Sequence, residues 1–164
     1  FFGKGGIMLI IGGGILIFFK KTRKAGICVL LALLIGSLIT NVCLKSLIAR
    51  PRPYTNSQSD FYIWWQYVGA VTESEFSFPS GHTTAATAAM TALFFNFPKK
   101  YSWTAFLFAV LMGISRIYLM VHYASDVIGG FIAGFIAGVA SYIIAEKIFK
   151  IITDSKRKTQ SFEF

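Results

Sequence analysis

Charge is scarce in this chain, and negative charge scarcer still. Only 14% of the 164 residues are charged, and seven Asp and Glu stand against 16 Lys and Arg. With 55% hydrophobic residues and a mean hydropathy of +0.62, this excludes a soluble domain with a wet surface and points to a membrane protein. The formal net charge of +9 does not indicate a nucleic-acid binder, because the cations lie in short clusters between long apolar runs rather than on one face of a soluble fold. Histidine is limited to His82 and His122, so any imidazole chemistry must run through that pair. Cys28 and Cys43 share one apolar run without the spacing of a disulfide framework or a zinc site, and are expected to be packing residues. An initiator Met and a signal-peptide pattern are both missing at Phe1, so upstream residues, with a further helix, are expected.

Five stretches approach the roughly 20 apolar residues needed to span a bilayer: Gly5 to Phe19, Ala25 to Ile48, Ser80 to Phe97, Tyr101 to Val121 and Ala124 to Ile152. The expected fold is therefore all-α, a polytopic transmembrane helical bundle forming a single domain over residues 1–164. Lys20, Lys21, Arg23 and Lys24, then Lys99 and Lys100, then Lys147, Lys150, Lys156, Arg157 and Lys158 fall in alternate connections, which the positive-inside rule assigns to the cytoplasm. The opposite side receives residues 50–78 as an interfacial loop, with Asp60, Glu73, Glu75 and Asp126. Phe61, Tyr62, Trp64, Trp65 and Tyr67 in that loop suit the headgroup region. Gly130, Gly134 and Gly138 form a small-residue face on the last helix, for packing within the bundle or, less favoured, for dimerisation.

A second set of cations, Lys45, Arg50, Arg52 and Arg116, lies at the outer ends of helices, against that rule. Near a bilayer centre each would cost about 2.5–3.5 kcal/mol, so something anionic should compensate them. In a continuing helix Lys45 and Arg52 would share a face, while Pro51 and Pro53 end regular helix there. Taken alone, that segment leaves open simple snorkelling to lipid headgroups. Ser80 and Gly81 open an apolar helix, with Ser80 as the cap and Gly81 leaving the backbone N–H groups approachable by an anion. A plain N-cap beside a wet His82 would look the same. His122 and Asp126 are four apart, so the carboxylate can orient one imidazole nitrogen and turn the other outward as nucleophile or base. A structural pair capping the last helix is the alternative.

Read together, Lys45-(x6)-Arg52-Pro53, then Pro79-Ser80-Gly81-His82, then Ser115-Arg116-(x5)-His122-(x3)-Asp126 resemble the three-part signature of the type 2 phosphatidic acid phosphatase (PAP2) superfamily, in order and spacing. The resemblance spans residues 45–126. Membrane members usually have six helices where five are visible here. It implies that His122 attacks phosphorus to form a phosphohistidine, oriented by Asp126, and that His82 protonates the leaving oxygen and later activates water. It also implies that Lys45, Arg52, Ser80, Gly81 and Arg116 hold the phosphoryl oxygens, with no metal and no other cofactor. The implied function is a lipid phosphatase of the cell membrane acting on its outer face, on undecaprenyl diphosphate by preference or on phosphatidylglycerophosphate or phosphatidate. Arg50, outside the signature, is a candidate contact for a second phosphate or a headgroup. The competing readings are a relative of the vanadate-dependent haloperoxidases, disfavoured by the apolar helices, and a non-catalytic lipid-phosphate-binding or transport protein.

Overall fold

The computed structural model describes the backbone of residues 4–160 and the side-chain surroundings of residues 6–155. The side chains of Lys156, Arg157 and Lys158 thus lie outside the described residues. Each of the five apolar stretches forms a helix. These are α1 (Lys4–Phe18), α2 (Arg23–Ser37), α5 (Gly81–Asn96), α7 (Ala105–Tyr118) and α8 (Ala124–Gln160). A π-helical segment, Leu38–Leu44, and the single turn α3 (Lys45–Ile48) continue α2. The outer loop holds a 3-10 turn, Pro53–Thr55, and α4 (Asp60–Tyr67), while the turn α6 (Lys99–Ser102) precedes α7.

The bundle is apolar on its outside and small-residued inside. Ile7, Ile11 and Ile15 on α1, Leu107, Leu111 and Ile114 on α7, and Ile128, Ile132 and Phe135 on α8 are all exposed. Water would not tolerate so continuous an apolar belt, whereas hydrocarbon solvates it, and helices satisfy their backbone groups internally. This is a membrane protein. Two stretches, Arg23–Thr55, helical as far as Ile48, and Ala124–Ser155, are long and apolar enough to cross a bilayer by length and composition. Helices α1, α5 and α7, of 15, 16 and 14 residues, are shorter. At 1.5 Å per residue they run to only about 21–24 Å, short of a roughly 30 Å core.

Helix α5 is the axis, packed against α8, α2 and α7. Thr83, Thr84, Ala85, Ala86, Ala88, Ala89 and Ala92 are all buried along it, as befits a helix surrounded by other helices. Alanine and threonine let neighbouring backbones approach, which drives association where lipid removes the hydrophobic incentive. The Gly130, Gly134 and Gly138 face packs on α5 and so serves the bundle interior. A Cβ on Gly134 would lie 2.6 Å from the Thr84 carbonyl oxygen, and one on Gly138 would lie 2.4 Å from Thr91 Cβ. Gly134→Val should therefore cost about 1–3 kcal/mol and lower the thermal midpoint in detergent. Gly12→Ala, where nothing lies within 4 Å, should leave that midpoint unchanged. Of the cysteines, Cys28 packs in the core as expected, but Cys43 is exposed on the π segment.

Connections α1–α2 and α5–α7 and the far part of α8 share one end of the bundle, with Lys20, Lys21, Lys24, Lys99 and Lys100. Lys24 pairs there with Glu146 on α8. The other end gathers the outer loop, the start of α5, the end of α7 and the start of α8. All three signature segments meet at that end.

Candidate active site

Two local departures from regular helix place the cations. The π-helical segment widens the helix just before Lys45, and α3 ends at Ala49 in the left-handed region, at φ 46°. Arg52 then sits in extended backbone between two prolines. Regular helix ends before Arg52, as Pro51 and Pro53 predict, so Lys45 and Arg52 do not share a helix face. They reach the site by separate routes, one on the last helical turn and one on the extended segment that follows it. Both are buried.

Ser80 caps α5 as expected, its hydroxyl accepting from Thr83 N at 3.4 Å and from Thr83 Oγ1 at 3.0 Å. Gly81 and His82 follow in the first turn and line a cavity of about 250 Å3 with Lys45, Arg52 and residues 72–75. Ser115 turns away, donating to the Met112 carbonyl.

His122 and Asp126 do not lie on one helix face, since α8 begins only at Ala124. Instead Asp126, in the first turn, reaches back to accept from Tyr123 N at 2.9 Å, as a helix-capping carboxylate does. The same Oδ2 accepts from Ser77 Oγ and lies 3.5 Å from His122 Nδ1, while Oδ1 accepts from Arg50 at 2.9 Å. Asp126 is thus both cap and histidine partner. His122 Nε2 consequently points toward two residues that line the cavity, 3.4 Å from Arg52 Nη1 and 3.8 Å from Glu73 Oε2. Burial holds the His122 imidazole below its ordinary titration range, against the upward pull of Asp126, so its ring is kept neutral.

Arg52 is the structural hub. Its Nε donates to the Glu75 carbonyl at 2.8 Å and its Nη1 to the Val121 carbonyl at 2.9 Å. Its Nη2 pairs with the Glu73 carboxylate at 2.8 Å. The rest of that carboxylate is surrounded by the other signature residues. Arg116 Nη1 lies 3.7 Å and His82 Nδ1 3.8 Å from Oε1, and His122 Nε2 lies 3.8 Å from Oε2. Both imidazoles and both buried-side arginines thus converge on one anionic group. Lys45 pairs with Glu75, whose carboxyl it holds below the usual carboxylate range.

Glu73, Glu75 and Ser77 belong to no motif in the sequence, yet the structure brings all three to the site. Their only advance signal was the surplus of outer cations, which demanded an anion. Arg50, expected near a second phosphate or headgroup, bonds Ser125 and Asp126 and stacks 4.1 Å over the Tyr123 ring.

The sequence model of the PAP2 superfamily matches residues 25–150. Phosphatidylglycerophosphatase B of Bacillus subtilis is 36% identical over 138 residues, covering 78% of this chain and 61% of the relative. Undecaprenyl-diphosphatase of Sulfolobus acidocaldarius is 30% identical over 120 residues, covering 73% of this chain and 55% of the relative. The chain therefore spans a little over half the length of these curated relatives. Among solved structures, the transmembrane PAP2-type phosphatidylglycerolphosphate phosphatase of B. subtilis superimposes with a TM-score of 0.63 at 34% identity, covering 86% of this chain and 68% of the other.

Proposed function

Because the chain belongs to the PAP2 superfamily, we propose that it hydrolyses phosphate monoesters or diphosphates of membrane lipids at this cavity, through a phosphohistidine on His122. The observation that carries the reading is the junction of Arg52, His122 and Asp126. A neutral imidazole is aimed at a cationic cavity, with a buried carboxylate behind it to take up the charge that nucleophilic attack creates.

His122 Nε2 forms the bond to phosphorus as the P–O bond to the lipid breaks, and His82 supplies the proton to the departing oxygen. Water then attacks the phosphohistidine, giving its proton to His82, and inorganic phosphate leaves with His122 restored. Lys45, Arg52 and Arg116, with the Ser80 hydroxyl and Gly81 N–H, balance the charge on the phosphoryl oxygens. The positive-inside rule places this end of the bundle on the extracytoplasmic face of the cell membrane. There a lipid can leave its chains in the bilayer and present its headgroup.

Among lipid phosphates we favour a polyprenyl diphosphate such as undecaprenyl diphosphate. A second cavity of about 500 Å3 shares Lys45, Arg52, Glu73 and Glu75 with the first and adds Arg50, and its three cations against two carboxylates leave a net positive charge for a second phosphate. The deciding experiment reconstitutes the protein in oriented vesicles and measures phosphate released from undecaprenyl diphosphate, phosphatidylglycerophosphate and phosphatidate. Faster release from soluble sugar phosphates than from all three would refute a lipid substrate.

The pH profile of kcat/KM, which reports the ionisations of the free protein, offers a signed test. The nucleophile must be neutral, and burial lowers the His122 pKa, so the acid limb should lie below the ordinary histidine value of about 6.5. Asp126→Asn removes the group that raises this pKa, so the limb should move further down. At the same time kcat should fall about 10²- to 10⁴-fold, because the developing imidazolium loses its counter-charge. An acid limb displaced upward in that variant would contradict the assignment.

A further inference from the structure

The Glu73 carboxylate occupies the position where the cationic side chains converge. It meets Arg52 at 2.8 Å, Arg116 at 3.7 Å and both histidines at 3.8 Å, from all three signature segments of the chain. Its side chain is 21% exposed, so it reaches in from the rim rather than forming part of the floor. The backbone of Glu73 is clamped at both ends by one phenol. Tyr54 Oη donates to the Glu73 carbonyl at 3.1 Å and accepts from its N–H at 3.0 Å. Tyr54 in turn stacks on Trp65 of α4, 4.8 Å between centroids, and Trp65 Nε1 donates to the Val71 carbonyl at 2.7 Å. The loop is held so as to deliver a carboxylate to the centre of the cavity.

We propose that Glu73 is a specificity-determining residue, an internal competitor for the anion site that a terminal phosphate can displace and a phosphodiester cannot. Resting on the phosphatase reading for the identity of the ligand, this addresses a problem that reading creates. An anion site at a bilayer surface faces a large excess of phosphodiester headgroups, each with one negative charge. A carboxylate also carries one, and being tethered it is present at high effective concentration, so the monoanionic diester gains little by replacing it. A terminal phosphate carries about −1.5 to −2 charge at neutral pH and three strong acceptor oxygens. It can satisfy both arginines and Lys45 together, which Glu73 does not. When product phosphate leaves, the carboxylate closes the site again.

The test uses the full chain in bilayer vesicles, with inorganic phosphate and phosphatidylglycerol as probes. Glu73→Gln should bind inorganic phosphate about tenfold or more tightly than the unsubstituted chain by calorimetry. Its lipid-phosphate turnover should become inhibitable by phosphatidylglycerol at levels that leave the unsubstituted chain unaffected. Glu73→Ala, which deletes the group rather than neutralising it, should move phosphate affinity in the same direction. Phosphate affinity unchanged or weakened in both variants, or an equal response of all forms to phosphatidylglycerol, overturns the proposal. The two readings fail separately. Tighter phosphate binding in a protein that turns over no lipid phosphate removes the phosphatase and keeps the competitor, while undiminished turnover with unaltered phosphate affinity does the reverse.

Discussion

His122→Ala should lower kcat by about 10⁴-fold or more and abolish the acid-labile phosphoenzyme trapped from labelled substrate. The magnitude follows from what the side chain alone can do. Among the described residues, His122 is the histidine whose Nδ1 is backed by a buried acid, at 3.5 Å from Asp126 Oδ2, with Nε2 turned toward Arg52 and Glu73 at the cavity wall. No near neighbour can replace it. His82 lies across the Glu73 carboxylate and is itself needed as acid and base, and Ser80 has its hydroxyl engaged with Thr83. The cations do not depend on His122, so phosphate binding should persist. A non-catalytic phosphate-binding or transport protein would instead show no turnover to lose. Retention of the phosphoenzyme in the alanine variant would move the nucleophile elsewhere.

The parts of this site that could be read in advance were those whose chemistry is local. Ser80 as the cap of α5 follows from a small hydroxyl residue before an apolar run, and the small-residue spacing of Gly130, Gly134 and Gly138 predicts a close helix contact. The alternating basic connections ordered the helix ends correctly. What could not be read were features set by tertiary geometry. The π-helical segment at Leu38–Leu44 has no proline or glycine to announce it, and it shifts the helix phase at which Lys45 leaves the segment. The pairing of His122 with Asp126 was predicted on a helix that begins only at Ala124. Their contact survives because the helix-capping geometry brings the carboxylate back toward the preceding residues. Glu73 and Glu75 sit in irregular backbone, where spacing carries no information. Only the unbalanced cations hinted at them.

The second large effect belongs to Arg52, and it separates charge from geometry. Arg52→Ala should lower kcat/KM about 10³-fold, the scale for losing one preorganised donor to the transition state, and should also lower thermal stability. Two origins are combined in that result. The guanidinium lies beside His122 Nε2 where phosphorus would be attacked, and it also ties Glu75 and Val121 carbonyls to one point. Leaving the buried Val121 carbonyl without a donor costs about 1–3 kcal/mol, and with the Glu75 tie also lost the loop from Glu73 to Ser77 should loosen together with the turn before His122. Arg52→Lys restores the charge but not the fork, because one ammonium on a flexible stem cannot serve Glu75, Val121 and an anion at once. The lysine variant should therefore recover part of the phosphate affinity lost in the alanine variant while remaining about 10²-fold below the unsubstituted chain in kcat. A lysine variant within threefold of the unsubstituted chain would show that Arg52 contributes charge alone. Comparing kcat with phosphate affinity and the thermal midpoint across both variants distinguishes a donor aimed at the reacting phosphoryl group from a bolt holding the loop.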